Sequence, residues 1–217
     1  AGRRALPARG AADGGGGVIE YPKIESLYKR NEKTHKFAIG EFRIPEFQYL
    51  YSLPWRWTEK IDGTNIRIEW TGEKVNIGGR TENAQIPTFL YSRLQELFPE
   101  EKFRINELSP ICLFGEGFGA KIQKGGGDYL PGGGCDFALF DVLVGEWWLL
   151  WDDICNIAKQ LSIRTVPVVG RGTLGEAEEM VRKGFDSALG TARAEGIVGV
   201  PMEYLRTRRG DRIIVKL

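Results

Sequence analysis

The sequence predicts an α+β fold of antiparallel sheets flanked by helices. Two observations carry that reading: short apolar runs of strand length joined by tight turns, and amphipathic segments at helical spacing that interleave with them irregularly. A parallel wound sheet would instead show strands and helices in strict alternation.

The elements follow in order. Ile66, Ile68 and Trp70 alternate with Arg67 and Glu69, the period of a half-buried strand, and Thr71-Gly72-Glu73 turns it into a second strand over Lys74–Ile77. Phe89, Leu90, Leu94, Leu97 and Phe98 recur at helical spacing in Thr88–Phe98, which Pro99 closes. Ile111–Phe114 and Phe137–Val144 are apolar runs bounded by glycine, hence strands, and Gly145-Glu146 is a hairpin turn into Trp147–Trp151. Asp152 or Asp153 caps a helix to about Leu161, and Thr173 with Glu176 forms a capping box opening a helix to about Phe185. Ile197–Val200 and Arg212–Leu217 read as the last strands.

The chain has 217 residues, with 30 basic and 29 acidic side chains, so any basic site is local rather than a property of the whole surface. A single histidine, His35, excludes most Ser-His-Asp, Cys-His and His-rich metal chemistry. His35 is read as packing, as are Trp55, Trp57, Trp147, Trp148 and Trp151. The cysteines Cys112, Cys135 and Cys155 form no CxxC pair and are expected reduced, with Cys112 and Cys155 in the core. No apolar stretch reaches the ~18–20 residues of a membrane span. Residues 1–17, rich in Arg and Gly, read as a disordered leader or an expression remnant, and residues 18–217 as one domain without an internal linker. The runs Gly125–Gly127 and Gly132–Gly134 fit no phosphate-loop pattern and are expected to be mobile loop.

The sharpest local feature is Lys60-Ile61-Asp62-Gly63, a lysine at a strand end before a turn whose glycine can take positive φ. Further elements follow it in a fixed order: Gly79-Arg80-Thr81, Phe114-Gly115-Glu116-Gly117-Phe118-Gly119, Phe137-Ala138-Leu139-Phe140-Asp141, Glu195-Gly196-Ile197-Val198 and Ile214-Val215-Lys216-Leu217. The ordered set resembles the covalent nucleotidyltransferase superfamily of polynucleotide ligases and RNA capping enzymes. Glu59-Lys60-Ile61-Asp62-Gly63-Thr64-Asn65 and the Lys121-Ile122-Gln123-Lys124 that follows the Glu116 element resemble the ATP-dependent RNA ligases of the nick-sealing and RNA-editing type.

The resemblance implies an ATP-grasp-like adenylation domain with its nucleotide pocket between the sheets, acting as a monomer on ATP and on RNA ends or a nicked duplex, away from membranes. Lys60 would attack the α-phosphorus of ATP to form lysyl-AMP, which passes to a 5′-phosphate RNA end. A free lysine, with a pKa of ~10.4, is nearly all protonated at neutral pH, so nearby cations are needed to favour the reactive amine. Lys216 and Arg80 are candidates, with Lys216 also catalytic. The resemblance further implies that Glu116 contacts the ribose and Phe140 stacks on the purine. Glu195 would bind Mg²⁺, with Mn²⁺ as an alternative, while Arg80 and Asn65 hold ribose or phosphate oxygens and Glu59 contributes to adenine recognition. Phe137 and Phe140 point to opposite faces of a strand, so only one can stack. Lys121, Lys124, Arg206, Arg208 and Arg209 are the basic groups expected to meet nucleic acid phosphates.

The family's last motif carries two lysines separated by one residue, whereas this sequence stops at Leu217, just after Lys216. A domain truncated before the second lysine is the corresponding expectation. The alternatives are a DNA ligase core, a GTP-dependent capping guanylyltransferase and a non-catalytic nucleotide-binding module. The absence of a targeting signal suggests the cytoplasm or a phage-infected cell, although a truncated N-terminus would hide one.

Overall fold

The computed structural model describes residues 6–7 and 19–217; the remainder of the leader lies outside the described residues. The chain divides into two compact units and passes between them repeatedly without a linker. One contains Ile61–Val166, Leu189–Ala192 and the described residues up to Tyr21; the other contains Pro22–Lys60, Pro167–Ala188 and Arg193–Leu217.

The first unit is built on a sheet of seven strands among the described residues: β1 (Leu6–Pro7), β6 (Thr64–Trp70), β7 (Val75–Gly79), β8 (Ile111–Gly119), β9 (Cys135–Val144), β10 (Trp147–Trp148) and β11 (Arg164–Thr165). They run in the order β1-β10-β9-β8-β6-β7, all antiparallel, and β11 joins β9 in parallel. Helices α2 (Thr88–Leu97), α3 (Glu100–Ile105) and α4 (Trp151–Gln160) complete the unit, with a short 3₁₀ helix at Gly126–Tyr129. Its main core gathers Ile66, Ile68 and Trp70 of β6 with Leu90 and Leu94 of α2, Phe103 of α3, and Ile154 and Ala158 of α4. The Phe98 and Phe137 rings meet edge to face at 5.1 Å, a favoured aromatic geometry.

The expected β6 strand is present, and its second face is partly covered: Arg67 is buried there while Asn65 and Glu69 are partly exposed. It lies between β7 and β8, and Arg67 is only 8% exposed, its guanidinium donating to the Ile19 carbonyl at 3.2 Å. β8 runs five residues past the expected end at Phe114 because its glycines are packing requirements. A Cβ at Gly115 would occupy the space of the Phe137 ring. The hairpin expected to continue to Trp151 stops at Trp148, and Trp151 opens α4. Asp152 and Asp153 occupy the first turn of α4 behind the cap Leu150, where negative charge complements the helix dipole.

The second unit holds a five-stranded sheet in the order β12-β5-β13-β14-β2: β2 (Glu25–Ser26), β5 (Trp55–Lys60), β12 (Val168–Gly172), β13 (Gly196–Pro201) and β14 (Val215–Lys216). A hairpin of β3 (Tyr28–Arg30) and β4 (Phe37–Phe42) and helices α1 (Pro45–Tyr49) and α5 (Leu174–Lys183) pack with it. Trp55, Trp57, Phe47, Leu174, Ile197 and Val215 form its core. The capping box of α5 forms as expected: the Glu176 amide donates to Thr173 Oγ1 at 3.3 Å and the Thr173 amide donates to Glu176 Oε2 at 2.7 Å.

Of the residues read as packing, Trp55, Trp57 and Trp148 are buried. His35 is not; it is exposed at a turn with φ 55°. Trp147 is 45% exposed. None of the three cysteines is in a disulfide among the described residues, with Cys112 buried and Cys155 only partly so.

Candidate active site

Strand alternation decides what Lys60 can do. Along β5, Trp55, Trp57 and Glu59 point to one face and Arg56, Thr58 and Lys60 to the other. The Trp55 and Trp57 rings stack at 5.7 Å, and Trp57 Nε1 donates to the Gly172 carbonyl at 3.2 Å. Lys60 therefore leaves the end of a strand fixed by two buried indoles.

β13 runs antiparallel to β5, with Gly196 opposite Lys60, so Glu195 lies at the start of the neighbouring strand. The Lys60 ammonium and the Glu195 carboxylate form an ion pair, both side chains partly open to solvent. On the other side of β13, Lys216 faces Val198, which itself faces Thr58. Directly opposed residues share a face, so Lys216 and Lys60 project from the same side of the sheet.

Glu59 points the other way. It is 2% exposed, and its carboxylate accepts hydrogen bonds from the Ser187 hydroxyl at 2.5 Å and the Ala188 amide at 2.9 Å. A buried carboxylate needs such donors. Both oxygens hold the segment that leads toward Glu195. The segment is closed on itself by the Ala194 amide, which donates to the Phe185 carbonyl at 3.1 Å, and by the Asp186–Arg193 ion pair at 3.1 Å.

In the first unit, Asn65 of β6 stands directly opposite Glu116 of β8. The Asn65 Oδ1 atom is buried without a hydrogen-bond partner, an acceptor suited to a hydroxyl or amine of a bound molecule. The turn after Lys60 is held from two sides: the Asp62 amide donates to the Tyr129 phenolic oxygen, and Gln123 Nε2 donates to the Gly63 carbonyl, each at 3.0 Å. Gly63 is required by close approach rather than by the positive φ expected. It is not among the positive-φ residues, and a Cβ there would meet the Gly117 carbonyl and, at 2.9 Å, Glu116 Cγ.

Phe140 sits at a break in the β8–β9 register, between Leu139 facing Gly115 and Asp141 facing Phe114. Such a bulge re-aims a side chain. Phe137 belongs to the main core and Phe140 packs at a smaller cluster with Phe118 and Tyr129, as the opposed-face argument requires. Asp141 is buried and accepts from the Tyr21 hydroxyl at 2.8 Å. Arg80 is exposed just beyond the end of β7.

Lys121 and Lys124 are exposed in the turn that follows β8. Arg208 and Arg209 are exposed at the tip of a loop whose base is bridged by Arg206 and Arg212. Arg206 is used differently: Nη1 donates to the Gly210 carbonyl at 2.7 Å, and burial, with Arg212 nearby, lowers its pKa.

The structure thus groups Lys60, Glu59, Glu195 and Lys216 on neighbouring strands of one unit, and Asn65 and Glu116 on neighbouring strands of the other. Tyr129 and Ser187 escaped the sequence reading, which took Gln123 only as part of the Lys121–Lys124 string. Tyr129 and Gln123 lie in or beside a Gly-rich stretch expected to be mobile, yet Gly126–Tyr129 is a 3₁₀ helix and Tyr129 is 3% exposed.

No group of three or more His, Cys, Asp or Glu side chains among the described residues forms a metal cage. A lone carboxylate such as Glu195 suits Mg²⁺ or Mn²⁺, which take one or two protein carboxylates and complete their shell with water and substrate phosphates. No helix among the described residues is long and apolar enough to cross a membrane.

Comparison with known proteins places these elements in a family. The family model described as RNA ligase matches residues 53–217. Among solved structures, three forms of the Naegleria gruberi RNA ligase share the fold. An arginine-to-alanine variant with ATP and Mn matches with a TM-score of 0.67 at 19% identity, over 91% of this chain and 55% of that one. A glutamate-to-alanine variant with AMP and Mn gives 0.63 at 19% identity, over 80% and 52%. The form with PPi gives 0.63 at 19% identity, over 90% and 60%. Comparison with curated proteins finds no match. The chain spans between half and two thirds of the solved structures it resembles. With most of its length, from residue 53 to its last residue, matched by one family model, the chain belongs to the RNA ligase family.

Proposed function

We propose that the chain is the adenylyltransferase part of an ATP-dependent RNA ligase, with Lys60 as the nucleophile. The observation that carries this reading is the placement of Lys60: fixed at the end of β5, paired with Glu195, and sharing a sheet face with Lys216.

The chemistry follows from the groups present. Attack requires the neutral amine, so the Lys60–Glu195 pair opens and the ammonium proton leaves to solvent. The lysine nitrogen bonds to the α-phosphorus, the bond from that phosphorus to the bridging oxygen of pyrophosphate breaks, and pyrophosphate departs. Lys216 supplies positive charge on the same face, where charge accumulates on the phosphoryl oxygens. Glu195, released from Lys60, is the residue that would hold the divalent metal, which when bound neutralises phosphate charge. Asn65 and Glu116 would bind the nucleoside, with Phe140 against the base and Arg80 at ribose or phosphate. The AMP then passes to a 5′-phosphate RNA end, and a neighbouring 3′-hydroxyl displaces it.

The same reading has the protein acting as a monomer on RNA ends, in the cytoplasm or a phage-infected cell. The ATP, AMP and Mn of the Naegleria structures support the choice of nucleotide and metal. The test offers labelled ATP or GTP as donor, then nicked duplexes with RNA or DNA at the 3′-hydroxyl side. Covalent label from ATP alone, with sealing favoured by RNA, supports the reading; label from GTP, or equal sealing of DNA, overturns the assignment.

A further inference from the structure

The β3–β4 hairpin forms a two-stranded sheet of its own and carries positive charge that the steps of nucleotidyl transfer do not use. From Lys29 to Lys36 the sequence reads Lys-Arg-Asn-Glu-Lys-Thr-His-Lys, four cations against the single Glu32, in a chain whose net charge is +1. Every residue of this stretch is exposed. Among the described residues no ion pair involves Lys29, Arg30, Lys33 or Lys36, whereas Arg43, just beyond β4, is paired with Glu25 at 2.9 Å. The hairpin therefore concentrates a local positive field on an otherwise balanced chain.

The turn that presents these cations is held by its own backbone. Asn31 Oδ1 accepts from the Lys33 and Thr34 amides at 3.0 and 2.9 Å, the His35 amide donates to the Asn31 carbonyl at 2.8 Å, and the Asn31 amide donates to the Lys36 carbonyl at 2.9 Å. An ordered turn spends less entropy when it binds. Beside it the Arg30 guanidinium lies over the Phe37 ring, 4.5 Å from the centroid, and Phe37 is still 45% exposed. Phe37 and Ile39, the latter 75% exposed, line a cavity of about 540 Å³ together with Tyr28, Glu178, Arg182 and Lys216. Exposed cations thus adjoin an exposed aromatic ring and a concave seat.

That combination suits a chain that repeats an anion and carries a flat, stackable group at each repeat, which is single-stranded nucleic acid. A duplex keeps its bases stacked inside and has use only for the cations; an acidic peptide has no need of the ring. We infer that the β3–β4 hairpin docks a single-stranded stretch of RNA, with phosphates at Lys29, Lys33 and Lys36 and one unstacked base against the Arg30–Phe37 pair at the cavity. The choice of RNA rests on the ligase reading.

The double variant Lys33→Ala/Lys36→Ala and the single variant Phe37→Ala are compared with the unaltered chain for binding of fluorescent single-stranded and duplex RNA by anisotropy across a salt series, with lysyl-AMP formation followed in parallel. The expected result for the double variant is single-strand affinity about tenfold weaker or more, with a salt dependence smaller by about two phosphate contacts. Phe37→Ala should bind the single strand about tenfold more weakly at an unchanged salt slope, with duplex affinity and lysyl-AMP formation as in the unaltered chain. Unchanged single-strand affinity in both variants overturns the docking surface, as does an unaltered chain that binds no single strand. Equal loss of single-strand and duplex affinity in Phe37→Ala also overturns it, because the ring then holds the hairpin rather than a base. Phosphatidylserine vesicles are offered as well; vesicle binding that the double variant loses while its RNA affinity stays intact assigns the surface to an anionic membrane instead. Absence of lysyl-AMP from the unaltered chain counts against the ligase reading alone, since strand affinity does not depend on that step.

Discussion

The backbone amide of Asp62 donates a hydrogen bond to the phenolic oxygen of Tyr129 at 3.0 Å, which ties the turn after the proposed nucleophile to a residue 67 positions away. Gln123 reinforces the turn through the Gly63 carbonyl at 3.0 Å. The turn immediately follows Lys60, the last residue of β5.

Replacing Tyr129 by Phe removes the acceptor and leaves the rest of the ring packed. Loss of one such hydrogen bond costs about 1 kcal/mol or slightly more, equivalent to roughly tenfold in a rate that depends on it. Single-turnover adenylylation of Tyr129→Phe should be about tenfold slower with the ATP concentration dependence unchanged. A variant that reacts at the original rate would show that the turn needs no anchor.

Glu59, which the resemblance assigns to adenine recognition, also holds Ser187 and Ala188 with its two oxygens. Glu59→Ala strands two donors in a buried site, with an expected loss of about 1–3 kcal/mol in stability by denaturant titration. Glu59→Gln keeps the shape but cannot accept two bonds with charge, and should fall between. A Glu59→Ala protein as stable as the original, yet with weakened ATP binding, would show that Glu59 serves the nucleotide and not the segment.

The strands and helices were largely legible from periodicity, because apolar residues recur at the spacing their elements impose. Glycine was the main source of error. Gly115 reads as the boundary of the strand that ends at Phe114, but it is held inside β8 by the Phe137 ring, a contact 22 residues distant that no local rule sees. Lys60, Glu195 and Glu116 could be picked out by motif order, whereas Tyr129 and Ser187 act through hydrogen bonds to backbone or to Glu59. Such partners carry no pattern of their own.

The capping box of α5 gives a pH-dependent prediction. The backbone and side-chain hydrogen bonds from Thr173 lower the pKa of the Glu176 carboxyl. A depressed carboxyl adds stability above its unfolded value and loses it as pH falls through the folded one. Thr173→Ala should therefore destabilise the chain near neutral pH, and the difference from the original protein should shrink on acidification below the usual carboxylate range. Urea titrations at neutral and acid pH measure this; a difference that grows in acid would contradict the sign.

Burial pushes the Cys112 thiol up to about 12, so little thiolate exists near neutral pH. In the folded protein Cys112 should resist iodoacetamide while denaturation exposes it. Peptide mapping after brief alkylation, with early labelling of Cys112 in the folded state, would indicate that the β8 region opens readily.

The most direct test of the central claim is intact-mass spectrometry after incubation with ATP and Mg²⁺ or Mn²⁺, for the chain and for Lys60→Ala. The account predicts an increase by one AMP in the first and none in the second. An adduct of the same mass on Lys60→Ala would place the nucleophile elsewhere and contradict the assignment.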